Sequence, residues 1–235
     1  MNAWLDTPLS AWHLEHGGRM VEFAGWRLPL QYRSVVEEHK ATRSALGIFD
    51  VSHLGRFRFA NPRVLSALDR LSTRRLANLP RGRIRYALLT NERGGVLDDV
   101  LVSRLDSEEG GEFVLMVVNA ANRTKIWDWL NRQLPDLDQL GAEDVTRATA
   151  MIAVQGPKAL GVLESLDEKL RRLNRFTGMV TKLAGVSAIV SRTGYTGERG
   201  YEVLVPGEHA HDFWEAITAA GKPYDICLLY TSPSP

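Results

Sequence analysis

A single cysteine, Cys227, stands in the 235 residues, which excludes an internal disulfide framework and any thiolate metal cluster. With that one thiol and six histidines, no ligand set reads as a metal centre, and none is expected. No apolar stretch approaches the roughly 18 residues that a membrane-spanning helix needs. The opening Met1-Asn2-Ala3-Trp4-Leu5-Asp6 has neither the basic nor the apolar region of a signal peptide. A reducing cytoplasm is the expected location. Charge of one sign is not in excess, with 29 basic against 28 acidic residues, so neither nucleic acid nor an anionic membrane is an expected partner. Neither GxGxxG nor GxxxxGKS occurs, which removes support for a dinucleotide or nucleoside-triphosphate site. There is no low-complexity tract and no short-period repeat.

What is present is a chain long enough for one large domain or two small ones. Residues 8–16 read as a short helix stopped by Gly17-Gly18, and 34–46 as a longer one with Val35, Val36, His39, Arg43 and Leu46 on one face. Leu54 to Ala60 reads as a strand. Asn61-Pro62 then looks like a capped helix start, with Val64, Leu65, Leu68 and Leu71 as its apolar stripe. Residues 83–90 and 96–105 form a hairpin signal around Asn91-Glu92-Arg93-Gly94-Gly95. An apolar strand at 113–118 is followed by a helix capped by Asn122, with Ile126, Trp127, Leu130 and Leu134 inward. A strand at 149–154, a helix from Lys158, a strand pair around Ser191 and a helix at 208–219 complete the pattern. Strands and helices mix without strict alternation, so the class expected is α+β.

The segment Ser191-Arg192-Thr193-Gly194-Tyr195-Thr196-Gly197-Glu198-Arg199-Gly200-Tyr201-Glu202 packs three glycines, two tyrosines and two glutamates into one turn. Glycines let a backbone approach a ligand closely, tyrosines offer flat faces with a hydroxyl, and glutamates accept the N–H groups of a heterocycle. The same segment also reads as a glycine-rich hairpin with packed tyrosines. Asp98 and Asp99 lie in a strand pattern, which sends them to opposite faces. Asp99 goes with Leu97 and Leu101, and Asp98 with Val96 and Val100. At least one carboxylate enters apolar surroundings and needs a partner. It either stabilises the hairpin or is poised to polarise a substrate amine. Tyr86 on the preceding strand is placed to reach across the hairpin, or simply to pack there. Asn119, where a strand meets a helix, is a ring-edge partner or a helix cap. Asp50, Ser52 and His53 are adjacent in sequence, which builds no nucleophilic triad. Lys40 and Arg43 read as surface charges, and His53 as a structural histidine.

The glycine-rich segment resembles the Arg-Thr-Gly-Tyr-Thr-Gly-Glu block of the aminomethyltransferase family, the T-protein of the glycine cleavage system. Further blocks resemble the family's in the same order. They are Thr7-Pro8-Leu9, Phe23-Ala24-Gly25-Trp26, Gln31-Tyr32, Glu38-His39, the run from Gly47 to Gly55, the run from Gly94 to Asp99, the run from Val118 to Asn122, and Gln155-Gly156-Pro157.

This resemblance implies an α+β folate-binding fold with mixed and antiparallel sheets and packed helices over residues 1–221. The family's following Ala-Arg-Asp helix, whose arginine helps hold folate, and its C-terminal β-barrel domain have no counterpart here. Residues 222–235 read as an anomalous tail. The resemblance implies Asp99 as the catalytic carboxylate and Leu54, Tyr86, Asn119, Tyr195, Glu198 and Glu202 as the folate-binding residues. Leu54 stands where the family has methionine, and Glu198 is the weakest of the set, because a turn glutamate is usually solvated. The implied reaction moves the methylene carbon of an aminomethyl group from lipoylated H-protein to the cosubstrate tetrahydrofolate, releasing ammonia. Two alternatives stay open: another tetrahydrofolate-dependent demethylase of the same fold, and a non-catalytic folate-binding module.

Overall fold

The computed structural model describes residues 4–229. The expectations for the first three residues and for the end of the tail, 230–235, lie outside the described residues. Strands run in chain order as β1 (Leu5–Asp6), β2 (Met20–Phe23), β3 (Trp26–Pro29), β4 (Leu46–Asp50), β5 (Gly55–Phe59), β6 (Arg83–Thr90) and β7 (Val96–Asp106). They continue as β8 (Glu112–Val118), β9 (Ala142–Asp144), β10 (Thr149–Gln155), β11 (Gly178–Leu183), β12 (Val186–Ser191), β13 (Gly200–Pro206) and β14 (Ile226–Leu229). The helices are α1 (Ser10–Glu15), α2 (Val35–Ser44), α3 (Val64–Asp69), α4 (Arg123–Gln133), α5 (Ala159–Leu166) and α6 (Ala210–Gly221). The chain divides into two compact units.

The first unit takes the residues up to His53, Arg147–Arg175 and those from Thr181. Its main sheet has six strands in the order β11-β12-β13-β10-β4-β14. β10 and β13 are central, antiparallel to each other, and buried along almost their whole length. A strand covered on both sides reads as a continuous apolar run, as Ala150–Val154 and Val203–Val205 do. β14 pairs parallel to β4, so residues 226–229 of the C-terminal segment extend the sheet. α6 buries Ala210, Phe213, Trp214, Ile217 and Gly221, the helical period expected of an amphipathic face. A small three-stranded sheet, β1-β3-β2, accompanies α1 in the same unit.

α2 differs from its sequence reading. Its inward residues are Glu38 and Thr42, while Val36 is 61% exposed and Val35 also faces solvent. The reason is the chain just before the helix. The Glu38 carboxylate accepts the backbone N–H groups of Tyr32 and Arg33 at 2.8 and 2.9 Å. Backbone donors need partners, and supplying these two turns Glu38 inward, which leaves the valines facing out. Leu46 is not on this helix but begins β4.

The second unit, Leu54–Thr146 with Phe176–Val180, is built on a five-stranded sheet ordered β6-β7-β8-β5-β9. β6 with β7, β7 with β8, β8 with β5 and β5 with β9 all pair antiparallel. One core gathers Phe57 and Phe59 of β5, Val100 and Val102 of β7, and Val114, Met116 and Val118 of β8. Leu65 and Leu68 of α3 and Ile126 and Leu130 of α4 join it. Each such fully buried side chain contributes about 1.5–3 kcal/mol. Asn61 enters differently from its reading: its side chain accepts the Arg63 N–H at 3.0 Å, closing a turn, and α3 begins only at Val64. Helices on one face of an antiparallel sheet give the α+β class.

Candidate functional site

Two groups of polar side chains stand out, one in each unit. In the second unit β7 separates its two aspartates. Asp98 points with Val100 and Val102 toward the helix-covered face and is 4% exposed, whereas Asp99 is exposed on the other face. Asp98 accepts the backbone N–H of Asn119 at 3.0 Å, the Asn119 side chain at 2.9 Å and the Asn122 side chain at 2.6 Å. The Asn119 Nδ2 also donates to Asp99 Oδ1 at 2.9 Å and to the Asp99 carbonyl at 3.2 Å. Tyr86 lies on β6, near enough to Asp99 for that carboxylate to act on its phenol. Desolvation raises the Tyr86 phenol above its ordinary value, helped by the Asp99 charge and hydrogen bond. The phenol thus stays a proton donor toward Asp99.

Asn122 departs from its expected role. It occupies the position before α4, yet its side chain makes no capping bond and donates to Asp98 instead. Asn119, read as ring-edge partner or cap, likewise makes no capping bond. It bridges the two aspartates. Leu54 stands just before β5, half-buried, and its carbonyl accepts Arg56 Nη1 at 2.5 Å. Arg56 itself is fully buried and also bonds the Thr146 carbonyl.

In the first unit β12 and β13 pair with Ser191 opposite Glu202. Glu202 is only 8% exposed, and the Thr193 hydroxyl donates to it. Burial pushes the Glu202 acid above the ordinary carboxylate value, and the Thr193 hydrogen bond works against that rise. Tyr195, by contrast, is 69% exposed on the connecting loop. Gln155, at the end of β10, anchors this loop. Its Nε2 lies 3.4 Å from the Thr193 carbonyl and 3.2 Å from that of Tyr201, and its Oε1 accepts the Thr196 hydroxyl at 3.1 Å. A Cβ on Gly194 or Gly200 would overlap the Gln155 amide, which accounts for two of the loop glycines by close approach. No local sequence signal marks this contact, because Gln155 lies far from the loop in the chain.

Glu198 is engaged with protein. Arg43 Nη1 donates to Glu198 Oε1 at 3.0 Å and to the Thr196 carbonyl at 2.6 Å. Arg43, read as a surface charge, therefore ties α2 to the loop.

The Asp50-Val51-Ser52-His53 run has its own buried network. The Asp50 carboxylate accepts Thr7 Oγ1 at 2.6 Å and the Ser52 N–H at 2.9 Å, and lies 3.0 Å from His13 Nε2. His13 Nδ1 is 2.5 Å from the Tyr32 hydroxyl. Burial alone pushes the Asp50 acid up, but hydrogen bonds from His13, Ser52 and Thr7 and the His13 charge bring it down to about 2. The carboxylate serves His13, not a serine nucleophile. His53 is buried and meets Phe23 edge-on at 5.6 Å. Among the described residues no group of three or more His, Cys, Asp or Glu side chains is placed to hold a metal ion. No helix among them is long and apolar enough to cross a membrane.

The family model described as the GCVT N-terminal domain matches residues 9–231, and the chain belongs to that family. It is 43% identical over 221 residues to an aminomethyltransferase of Symbiobacterium thermophilum, covering 92% of this chain and 58% of that protein. It is 40% identical over 234 residues to an aminomethyltransferase of Thermotoga maritima, covering 95% and 63%. The chain thus spans about three fifths of the length of these curated relatives. Among solved structures, glycine cleavage system aminomethyltransferase T from Bartonella henselae superposes with a TM-score of 0.80 at 28% identity, over 96% of this chain and 59% of that one. A chain of the heterotetrameric sarcosine oxidase of Corynebacterium sp. U-96 gives 0.58 at 15% identity, over 94% of this chain and 96% of that one, a likeness of fold alone.

Proposed function

We propose that residues 1–221 form the folate-binding portion of an aminomethyltransferase. In this reading the methylene carbon of an aminomethyl group passes from lipoylated H-protein to tetrahydrofolate in the cytoplasm, and ammonia is released. The curated relatives named for that activity support it, as does the family membership. The observation that carries it is the exposed Asp99 carboxylate held by the Asn119 amide at 2.9 Å, with the Tyr86 phenol beside it.

The donor sets fit a reduced folate by their chemistry. The buried Glu202 carboxylate has one hydroxyl donor, from Thr193, and remains an acceptor for N–H groups such as a pterin edge presents. Tyr195 offers an exposed ring for stacking. Leu54 offers a flexible apolar side chain, and methionine and leucine are close in volume. Glu198 is assigned mainly to holding the loop through Arg43.

Tetrahydrofolate supplies the nucleophilic nitrogen, and the protein supplies placement and charge. Asp99 is held by the Asn119 amide, so it orients with little reorganisation. Its negative charge stabilises cationic character on the carbon being transferred. Tyr86, whose phenol is raised above its ordinary value, stays protonated beside that carboxylate.

The test is turnover with lipoylated H-protein and tetrahydrofolate. Asp99→Asn should fold with an unchanged melting temperature and lose about 100- to 1000-fold in kcat, the scale of one preorganised electrostatic group. Wild-type turnover in that variant would remove Asp99 from the mechanism. Saturable folate binding by a wild-type chain that transfers nothing would favour the non-catalytic module.

A further inference from the structure

The role of Asp98 is not accounted for by the reading above. Its carboxylate accepts three N–H groups, two from Asn119 and one from Asn122. An ionised carboxylate only accepts hydrogen bonds, so the atoms that face it must be donors. That requirement sets the sense of the Asn119 amide. An asparagine amide has nearly the same shape when turned over, and its hydrogen-bond partners alone decide which way it sits. Turned over here, its oxygen would face both Asp98 Oδ1 and Asp99 Oδ1, which each lie 2.9 Å from the nitrogen now. Two lost donors and two oxygen–oxygen repulsions oppose that state. In the observed sense the NH2 group holds both carboxylates, and Asn119 Oδ1 has no hydrogen-bond partner among the described residues.

We propose that Asp98 is a positioning residue: it fixes the Asn119 amide, so that Asn119 clamps the exposed Asp99 carboxylate and offers only its carbonyl oxygen to a ligand. A ligand group meeting Asn119 is then an N–H donor. Asn122 supports the arrangement by taking a share of the same Asp98 oxygen. The consequence for one-carbon transfer rests on the folate reading, whereas the orientation of the amide does not.

The orientation is tested by NMR on ¹⁵N-labelled protein, with the Asn119 side-chain signals assigned by their loss in Asn119→Ala. In the wild type these NH2 protons should exchange with water at least about tenfold more slowly than a solvated asparagine amide, and Asp98→Asn should abolish that protection. Exchange at the solvated rate in the wild type overturns the proposal, and that arm decides even where Asp98→Asn does not fold. Protection unchanged in a folded Asp98→Asn overturns it equally.

Calorimetric titration with tetrahydrofolate reads the consequence. Asp98→Asn and Asn119→Ala should each weaken binding roughly tenfold, and the double variant no further than the weaker single. Effects that multiply would contradict action through Asn119. A folded wild type that binds no tetrahydrofolate counts against the folate reading, and the exchange experiment still judges the positioning.

Discussion

Asp98 and Asp99 differ by one position on β7 and therefore by a whole face of the sheet. The buried one collects amide donors and the exposed one keeps its charge available, so adjacent identical residues do different work. Buried carboxylates elsewhere give predictions that differ in sign. Burial raises the Glu202 acid, so the folded chain keeps that proton to a higher pH than the unfolded chain does. Stability then falls as pH climbs from the ordinary carboxylate range through the raised value. Glu202→Gln cannot ionise and should gain on the wild type as pH rises, read as urea midpoints from about pH 4 to pH 8. An equal pH slope in both proteins would contradict the burial argument.

Asp50 has the opposite sign, since its folded value of about 2 lies below the ordinary 3.8. Its contribution, about 2 kcal/mol, is present above the ordinary value and is lost as pH falls through the folded one. Asp50→Ala removes the carboxylate that partners the buried His13 Nε2 and should cost about 3–5 kcal/mol at neutral pH. Denaturant unfolding measures both effects.

At the scale of elements, the loop between β12 and β13 is held by side chains from elsewhere in its unit. Gln155 at the end of β10 occupies the space that Gly194 and Gly200 leave, and Arg43 of α2 grips Thr196 and Glu198. Gly200→Ala should destabilise by about 1–3 kcal/mol through overpacking and speed proteolysis between residues 193 and 199. A Gln155→Ala background should relieve most of that penalty. Additive losses in the double variant would mean that the glycine serves some other purpose.

The strands and amphipathic helices were legible in the sequence because their patterns are local. The hairpin of β6 and β7, the apolar face of α4 and the central strands β10 and β13 follow from alternation, period and turn residues. The exposed face of α2 was not legible. Its valines mimic a core stripe, and only the backbone donors of Tyr32 and Arg33 explain why Glu38 turns inward. Asn122 looked like a cap because of its position, and the carboxylate that redirects it lies on another strand.

At the scale of the whole molecule, the division into two units could not be read from the chain. The first unit is assembled from three separate segments and the second from two, and local patterns do not report which distant segments pack together. The candidate residues are legible only through the resemblance of their sequence blocks to the family's. Their partners, Gln155 for the loop and Asp98 with Asn122 for Asn119, came from contacts that no block displays.

In the proposed function, a reduced folate is held through Glu202. Calorimetric titration of the folded chain with tetrahydrofolate, beside Glu202→Ala, tests it most directly. The wild type should show saturable one-site binding and the variant a loss of at least about tenfold, the scale of a hydrogen bond to a charged group. Equal affinity in both proteins, or no binding by a wild-type chain shown to be folded, would contradict it.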